Sequence, residues 1–177
     1  MTPMRWLTIG VAVFANLCGL HGLGFRVNTT QSVPVGLYRI EPIRSTALRR
    51  DQFVCLPIRS AVGMGRRFAE LPKPPRDWSE RLVLLKRVSG LGGDTVSIER
   101  DAHGKAWATL AAEGSHTRLG PVDASWDYAI SESHYPVALE TSDVWLSSDH
   151  ERGFDSRFYG PVPLWALTCR ARPIWTL

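Results

Sequence analysis

Residues 82–96 read LVLLKRVSGLGGDTV, an apolar run that leads directly into a lysine and then into a glycine-rich turn. Leu82 to Leu85 are typical of a largely buried β-strand, so Lys86 lies on this strand or at its end. Burial disfavours the charged form of an amine and lowers its pKa by up to ~3–5 units, which makes a lysine a usable general base near neutral pH. The alternative is a lysine that packs its stem and extends its ammonium group into water.

The glycines after Lys86 indicate a tight turn between two strands. Gly90, Gly92 and Gly93 allow the positive φ of a tight turn, and Thr95 to Ile98 resume a strand. A dinucleotide fingerprint needs Gly-x-Gly-x-x-Gly at the start of a helix, and a phosphate loop needs Gly-Lys followed by Ser or Thr. The stretch has neither, so it predicts β structure rather than a nucleotide site.

Length and composition fit one globular domain. The chain has 177 residues, of which 44% are hydrophobic and 21% charged, and a formal net charge of +4. Its basic residues are scattered and form no stripe interleaved with aromatic residues, so no nucleic-acid partner is expected. The five histidines are widely separated, and none stands at metal-ligand spacing from a cysteine or another histidine. We therefore predict no metal.

Residues 1–26 are predicted to form a membrane anchor. Residues 6–25 contain no formally charged side chain, and a run of that length can span a bilayer. The run ends in Gly22-Leu23-Gly24-Phe25-Arg26 rather than at an Ala-x-Ala-like site, which favours an uncleaved anchor over a removed signal. A buried core helix is the alternative. Residues 27–177 then form the second, exported domain.

Most other periodic segments of the chain predict strands. They are residues 33–40, 51–57, 106–110, 137–139 and a closing strand over 164–175, with residues 99–140 as an added β layer. The fold class is therefore mainly β. Cys55 and Cys169 fall on predicted strands, and we expect two buried free thiols because cysteine is often simply a small core residue. An exported domain would also permit their pairing.

Three segments, taken in order after the predicted anchor, resemble the type I signal peptidases. They are SVPVGLY at 32–38, KRVSGLGGD at 86–94 and DSRFYG at 155–160. The resemblance implies a β-rich catalytic domain in the periplasm and a Ser/Lys dyad without a cofactor. Within that family the chain looks most similar to the peptidases of plasmid transfer systems. This likeness implies a pilin precursor held in the bacterial inner membrane as substrate, cut near its C-terminus and cyclised, alongside other conjugation machinery.

The resemblance also implies roles for individual residues. Ser32 matches the nucleophile and Lys86 the general base, which is the Ser-Lys variant of the catalytic triad. The backbone N–H of Ser32 and the hydroxyl of Thr30 match the oxyanion hole.

Four charged residues match supporting positions of the family. Arg87 and Asp149 match a pair that holds the lysine-bearing strand against the last loop, and Asp155 and Arg157 match the loop that supports the dyad. Relatives often carry a serine two residues before this aspartate to orient the lysine, but this chain has Gly153 there. The replacements that the sequence leaves open are Ser147, Ser148, a water molecule and Asp155 itself.

Three other functions remain as alternatives. One is a general endopeptidase of exported proteins. A second is a Ser-His-Asp hydrolase that uses His150 beside Asp149, although the chain has no Gly-x-Ser-x-Gly elbow and neighbours in sequence rarely orient one another as a triad requires. The third is a non-enzymatic, membrane-anchored assembly protein of a secretion channel.

Overall fold

β-Strands make up most of the protein in the computed structural model, which describes residues 22–43, 48–65, 82–122 and 132–177. The strands are β1 (Phe25–Asn28), β2 (Gly36–Glu41), β3 (Phe53–Pro57), β4 (Val83–Leu91), β5 (Thr95–Arg100), β6 (Ala106–Ala112), β7 (Ser115–Val122), β8 (Val137–Ala138), β9 (Asp143–Ser147), β10 (Val162–Pro163) and β11 (Cys169–Thr176). The helices are α1 (Ile58–Gly65) and α2 (Ser156–Tyr159), with single 3-10 turns at Glu132–His134 and Leu164–Ala166. The predicted mainly β fold is confirmed.

The described strands form two antiparallel sheets. The first has seven strands in the order β1-β2-β11-β3-β4-β9-β10, and the second has four in the order β7-β6-β5-β8. Only Gly92 to Asp94 separate β4 from β5, although the two strands belong to different sheets. Gly93 has a φ of 94°, a left-handed conformation that glycine adopts without steric cost. The glycine-rich turn therefore passes the chain from one sheet to the other.

Burial alternates along β4 and determines which way Lys86 faces. Lys86, Val88 and Gly90 are buried, whereas the residues between them are partly exposed. Because side chains of a strand alternate between its two faces, Lys86 and Val88 share one face of the sheet. The register with β9 shifts between Val88 and Gly90, and Gly90 faces Trp145 and Leu110 of the second core instead. Val88 packs in the main core with residues such as Leu146 and Tyr159. The lysine therefore projects from an interior strand to the core side of the sheet.

Strand β9 contributes to two hydrophobic cores. Val144 and Leu146 pack in the core of the seven-stranded sheet, and Trp145 between them packs in the core of the four-stranded sheet. Trp145 is fully buried. Because neighbouring residues of a strand face opposite ways, this one strand can pack against both sheets at once.

The predicted closing strand is wrong in its first part. Leu164, Trp165 and Ala166 form a 3-10 turn, in which the Leu167 N–H donates to the Leu164 carbonyl at 3.2 Å, and β11 begins only at Cys169. The apolar run favoured a strand in the sequence, but Trp165 is exposed, which a buried strand would not allow.

The expectation of two free thiols is also wrong. Cys55 of β3 and Cys169 of β11 form a disulfide, and their Cα atoms are 5.0 Å apart. The two residues are direct partners in the antiparallel register of β3 and β11. Their Cα separation lies within the range that a disulfide spans. The pairing follows from strand register across 114 residues of sequence, which no local pattern reveals.

The predicted anchor at residues 6–25 lies almost entirely outside the described residues. The described chain starts at Gly22, and β1 begins at Phe25. Within residues 22–43, 48–65, 82–122 and 132–177, no helix has the length and apolar character needed to cross a bilayer.

Candidate active site

Lys86 is almost completely buried, with 2% of its surface exposed, and its cross-strand partner in β3 is Val54. Burial is the largest influence on its amine and lowers the pKa to about 8. The charges of Asp155 and Asp149 act in the opposite direction, and the Arg157 guanidinium lowers the pKa further. A substantial fraction of the amine is therefore neutral near pH 8, as a general base requires.

Ser32 is half-buried in the turn between β1 and β2, and this turn is tied to the segment after β9. The Ser32 carbonyl oxygen accepts hydrogen bonds from the Asp149 N–H at 2.8 Å and from the Ser148 hydroxyl at 3.3 Å. The β4–β9 pairing ends where Arg87 faces Ser147. The structure thus brings the turn that carries Ser32 to the end of the β4–β9 pair at which Lys86 lies.

Asn28 organises the turn around Ser32. Its side-chain amide donates to the carbonyl groups of Thr30 at 2.8 Å, Val33 at 3.0 Å and Pro34 at 3.2 Å. Tyr38 donates its hydroxyl to the same Pro34 carbonyl at 2.6 Å. The exposed Thr30 donates its hydroxyl to Asn28 Oδ1 at 2.8 Å, so this group is engaged within the turn. Sequence reasoning missed Asn28, although asparagine is a recognised turn residue whose side chain bonds the backbone two residues further on, as it does here with the Thr30 N–H at 3.2 Å.

Arg87 and Asp149 form the pair expected between β4 and the last loop. Arg87 donates through Nε at 3.0 Å and through Nη2 at 2.8 Å to the two carboxylate oxygens of Asp149. The hydrogen bond to Asp149 is the main reason why the pKa of Arg87 is raised. The guanidinium also lies over the Phe53 ring, 4.9 Å from its centroid. This two-pronged contact fixes the segment after β9 relative to the lysine-bearing strand.

Asp155 and Arg157 form a second, fully buried pair. Arg157 donates to Asp155 through Nε and Nη2, each at 2.8 Å. Asp155 also caps α2 by accepting from the Arg157 N–H, and it accepts from the Ser148 N–H at 3.0 Å. Arg157 uses its remaining donors on the carbonyl groups of Glu151, Gly153 and Pro121, at 2.7, 3.2 and 2.8 Å. The pair therefore fixes the last loop internally and attaches it to β7.

His150 and Asp149 are not arranged as members of a Ser-His-Asp triad. The Asp149 carboxylate is bound by Arg87, and His150 is exposed. The Nδ1 atom of His150 accepts the Arg152 N–H at 3.1 Å. In a triad the imidazole Nδ1–H donates to the carboxylate, which this arrangement does not provide.

Two serines that sequence reasoning did not single out from their neighbours hold the end of β9. Ser148 bonds both the Ser32 carbonyl and Asp155, as described above. Ser156 accepts the Leu146 N–H through its hydroxyl at 2.9 Å. No local pattern distinguishes them, because the loop that folds back against β9 brings their partners close.

Comparison with known proteins gives matches over nearly the whole chain. The family model described as signal peptidase, peptidase S26, matches residues 7–176. The chain is 30% identical over 170 residues to the Conjugal transfer protein TraF of Agrobacterium fabrum, covering 92% of this chain and 88% of that protein. It is 28% identical to the Conjugal transfer protein TraF of Agrobacterium tumefaciens, over 94% of this chain and 92% of that protein. It is also 28% identical to the Plasmid transfer protein TraF of Escherichia coli, over 97% of this chain and 95% of that protein.

Proposed function

The chain belongs to the signal peptidase, peptidase S26 family, and from that premise we propose that Ser32 and Lys86 form its catalytic dyad. Membership makes the protein a serine peptidase of the signal peptidase type. The observation that carries the dyad is the burial of Lys86 on an interior strand, which lowers the pKa of its amine to about 8. A lysine with an ordinary pKa would be protonated at neutral pH and unable to accept a proton.

The reaction proceeds by acyl transfer. The neutral Lys86 Nζ takes the proton of the Ser32 hydroxyl while Ser32 Oγ attacks the substrate carbonyl carbon. The oxyanion that forms is bound by the Ser32 N–H, with the Thr30 hydroxyl as a second donor once it leaves Asn28. The Lys86 ammonium then gives its proton to the leaving amine, the peptide C–N bond breaks, and an ester on Ser32 remains. Water or an amine resolves this ester.

The substrate is an extended peptide that adds as a strand. Strand β4 pairs with β9 only from Arg87 onwards. Residues Val83 to Lys86 of β4 are therefore not covered by β9 on that side. Backbone groups on such an edge can bind an extended peptide by strand addition. A groove of about 390 Å³ lies nearby, lined mainly by apolar side chains including Tyr38 and Leu85 and by the Cys55–Cys169 disulfide. This groove is suited to small apolar side chains next to the scissile bond.

The protein acts at the periplasmic face of the inner membrane. In this proposal, residues 6–25 anchor the protein in the membrane, which is supported by the length of this run and its lack of charge. The disulfide supports an oxidising compartment for the domain. Exposed apolar side chains on the β1 and β11 side, among them Val27, Trp175 and Leu177, are suited to a membrane surface.

The physiological substrate is a pilin precursor of a conjugative transfer system. The names of the relatives support this assignment, because they are conjugal or plasmid transfer proteins. A membrane-held pilin would meet Ser32 a few residues beyond the predicted anchor. The products are a short C-terminal tail and a pilin acyl-enzyme, which the pilin's own N-terminal amine resolves to a circular product. General endoproteolysis of exported proteins is the alternative outcome.

A serine-directed penem that acylates the enzyme tests the dyad. We expect an adduct on Ser32 in the wild-type chain, its loss in Ser32→Ala, and a fall of roughly 10²–10⁴-fold in the rate of acylation in Lys86→Met. Lys86→Arg fails as well, because a guanidinium cannot be deprotonated in proteins. Lys105→Met, an exposed lysine, is the matched control and keeps the wild-type rate. An adduct that forms equally well in Ser32→Ala or Lys86→Met contradicts the dyad.

A further inference from the structure

Ser148 occupies the space in front of Gly153. A Cβ atom added at Gly153 would overlap both the Cβ and the Oγ of Ser148. The φ of Gly153 is not in the left-handed region, so space rather than backbone conformation requires a glycine there. A side chain therefore fits at position 148 or at position 153, but not at both.

Ser148 also lies on the same face as Lys86. The register of β4 and β9 pairs Val88 with Leu146 and Arg87 with Ser147. Arg87 and Ser147 are the last paired residues, and Ser148 is the next residue of the chain after β9. If side chains go on alternating past the end of the pairing, Ser148 lies on the same face as Lys86. Both residues are buried, with 2% and 7% exposed.

The neighbouring Ser147 is directed elsewhere. It is the partner of Arg87, and its hydroxyl is hydrogen-bonded to the hydroxyl of Ser89. Arg87 and Ser89 both lie on the opposite face of β4 from Lys86, because side chains alternate along a strand. Of the two adjacent serines, only Ser148 can therefore direct its hydroxyl towards the lysine.

We infer that the hydroxyl of Ser148 positions the Lys86 amine, in place of a side chain at Gly153. Its proton points to the Ser32 carbonyl oxygen at 3.3 Å, which leaves the Oγ lone pairs free to accept an N–H from Lys86 Nζ. The lone pair of the neutral amine is then left for the proton of the Ser32 hydroxyl. Ser148 is itself held by its N–H, which donates to Asp155 at 3.0 Å.

This inference rests on the proposed function, because it assigns a positioning role in the chemistry of Ser32 and Lys86. Because Ser148 and Gly153 share one space, the inference can be tested by exchanging the serine and the glycine between the two positions. The variants are Ser148→Ala, Gly153→Ser and the double exchange Ser148→Gly/Gly153→Ser. The matched control is Ser147→Ala, the same substitution at the adjacent serine.

Penem acylation of the full-length chain separates the maximal rate of acylation, kinact, from the probe affinity, KI. We expect Ser148→Ala to lower kinact roughly 10- to 100-fold, as a misplaced catalytic group does, and to leave KI unchanged. Gly153→Ser alone lowers kinact because two side chains compete for one space. The double exchange restores a large part of kinact, since a serine hydroxyl again faces the lysine. Ser147→Ala keeps the wild-type kinact.

Thermal unfolding of the wild type, Ser148→Gly, Gly153→Ser and the double exchange tests the shared space without reference to activity. Gly153→Ser should lower the melting temperature in the wild-type chain but not in Ser148→Gly, so the two effects are strongly non-additive. Additive effects, an unchanged kinact in Ser148→Ala, or a double exchange no better than Gly153→Ser would each overturn the inference. Labelling that survives Ser32→Ala contradicts the proposed function instead, whereas normal Ser32 labelling in Ser148→Ala contradicts the positioning role alone.

Discussion

At the scale of single residues, the burial of Lys86 costs stability, and in the proposed dyad the same burial makes its amine a base. Its pKa of about 8 lies below the ordinary value of 10.5 because burial disfavours the charged amine. Between these two pH values the unfolded chain binds a proton that the folded chain does not, so this group makes stability rise with pH across that window. Below about pH 8 the full cost of burying the ammonium is present.

Replacement of Lys86 by methionine should therefore stabilise the protein while abolishing its activity. Methionine keeps the unbranched stem without the charge, and the free energy of unfolding at pH 7 should rise by roughly 3 kcal/mol. The gain should shrink as the pH rises from about 8 towards 10.5, because the wild-type amine is then neutral when folded. Urea unfolding across this pH range measures the effect.

The exposed Lys105 provides the control for this measurement. Lys105→Met should change the free energy of unfolding by no more than ~0.5 kcal/mol at any of these pH values. In the wild type, the rate of penem acylation should rise with pH through about 8 as the Lys86 amine loses its proton. A less stable Lys86→Met protein, with a difference that does not depend on pH, would mean that contacts of the ammonium outweigh its burial cost.

At the scale of elements, the Cys55–Cys169 disulfide joins β3 to β11 and closes a loop over 114 residues of sequence. A cross-link over so long a loop restricts the unfolded chain, and its removal typically costs about 2–5 kcal/mol. Cys55→Ala/Cys169→Ala should be destabilised by that amount, as measured by urea unfolding. In intact cells, a permeant alkylating reagent should modify Cys55 and Cys169 only after reduction.

The third cysteine, Cys18, provides the control for the alkylation. Cys18→Ala should leave the resistance of Cys55 and Cys169 unchanged. Thiols that are free in cells but pair after oxidation of the purified protein would contradict the periplasmic location and leave the pairing intact. Thiols that stay free after such oxidation would contradict the disulfide itself.

The same scale shows what the sequence could predict. The buried strand of Lys86, the glycine-rich turn after it and the charged pairs of the last loop were accessible, because each is encoded by a short run or by matching motif residues. The disulfide and the packing of Ser148 against Gly153 were not. Both depend on which distant segments come into contact. The disulfide depends on the register of β3 and β11, and the packing of Ser148 against Gly153 depends on the loop that folds back on β9.

At the scale of the whole molecule, both sheets support the loop next to Lys86. Arg157 bonds Asp155 beside the lysine and the Pro121 carbonyl of β7 in the second sheet. Trp145 of the first sheet packs in the core of the second. A loop held from both sides is expected to keep its shape while a peptide is bound and cut.

The fate of the acyl-enzyme is the last prediction. An N-terminal amine held beside the ester can have an effective concentration of ~10⁵ M or more, compared with about 55 M for water, so aminolysis should be faster than hydrolysis. Mass spectrometry of pilin processed in the membrane should then show a mature product one water lighter than its linear sequence. Pilin with a blocked N-terminal amine is the matched control, since it can give only the linear acid. An exclusively linear product from pilin with a free amine would reject cyclisation and leave endoproteolysis as the activity, because the same Ser32 ester would then have been opened by water.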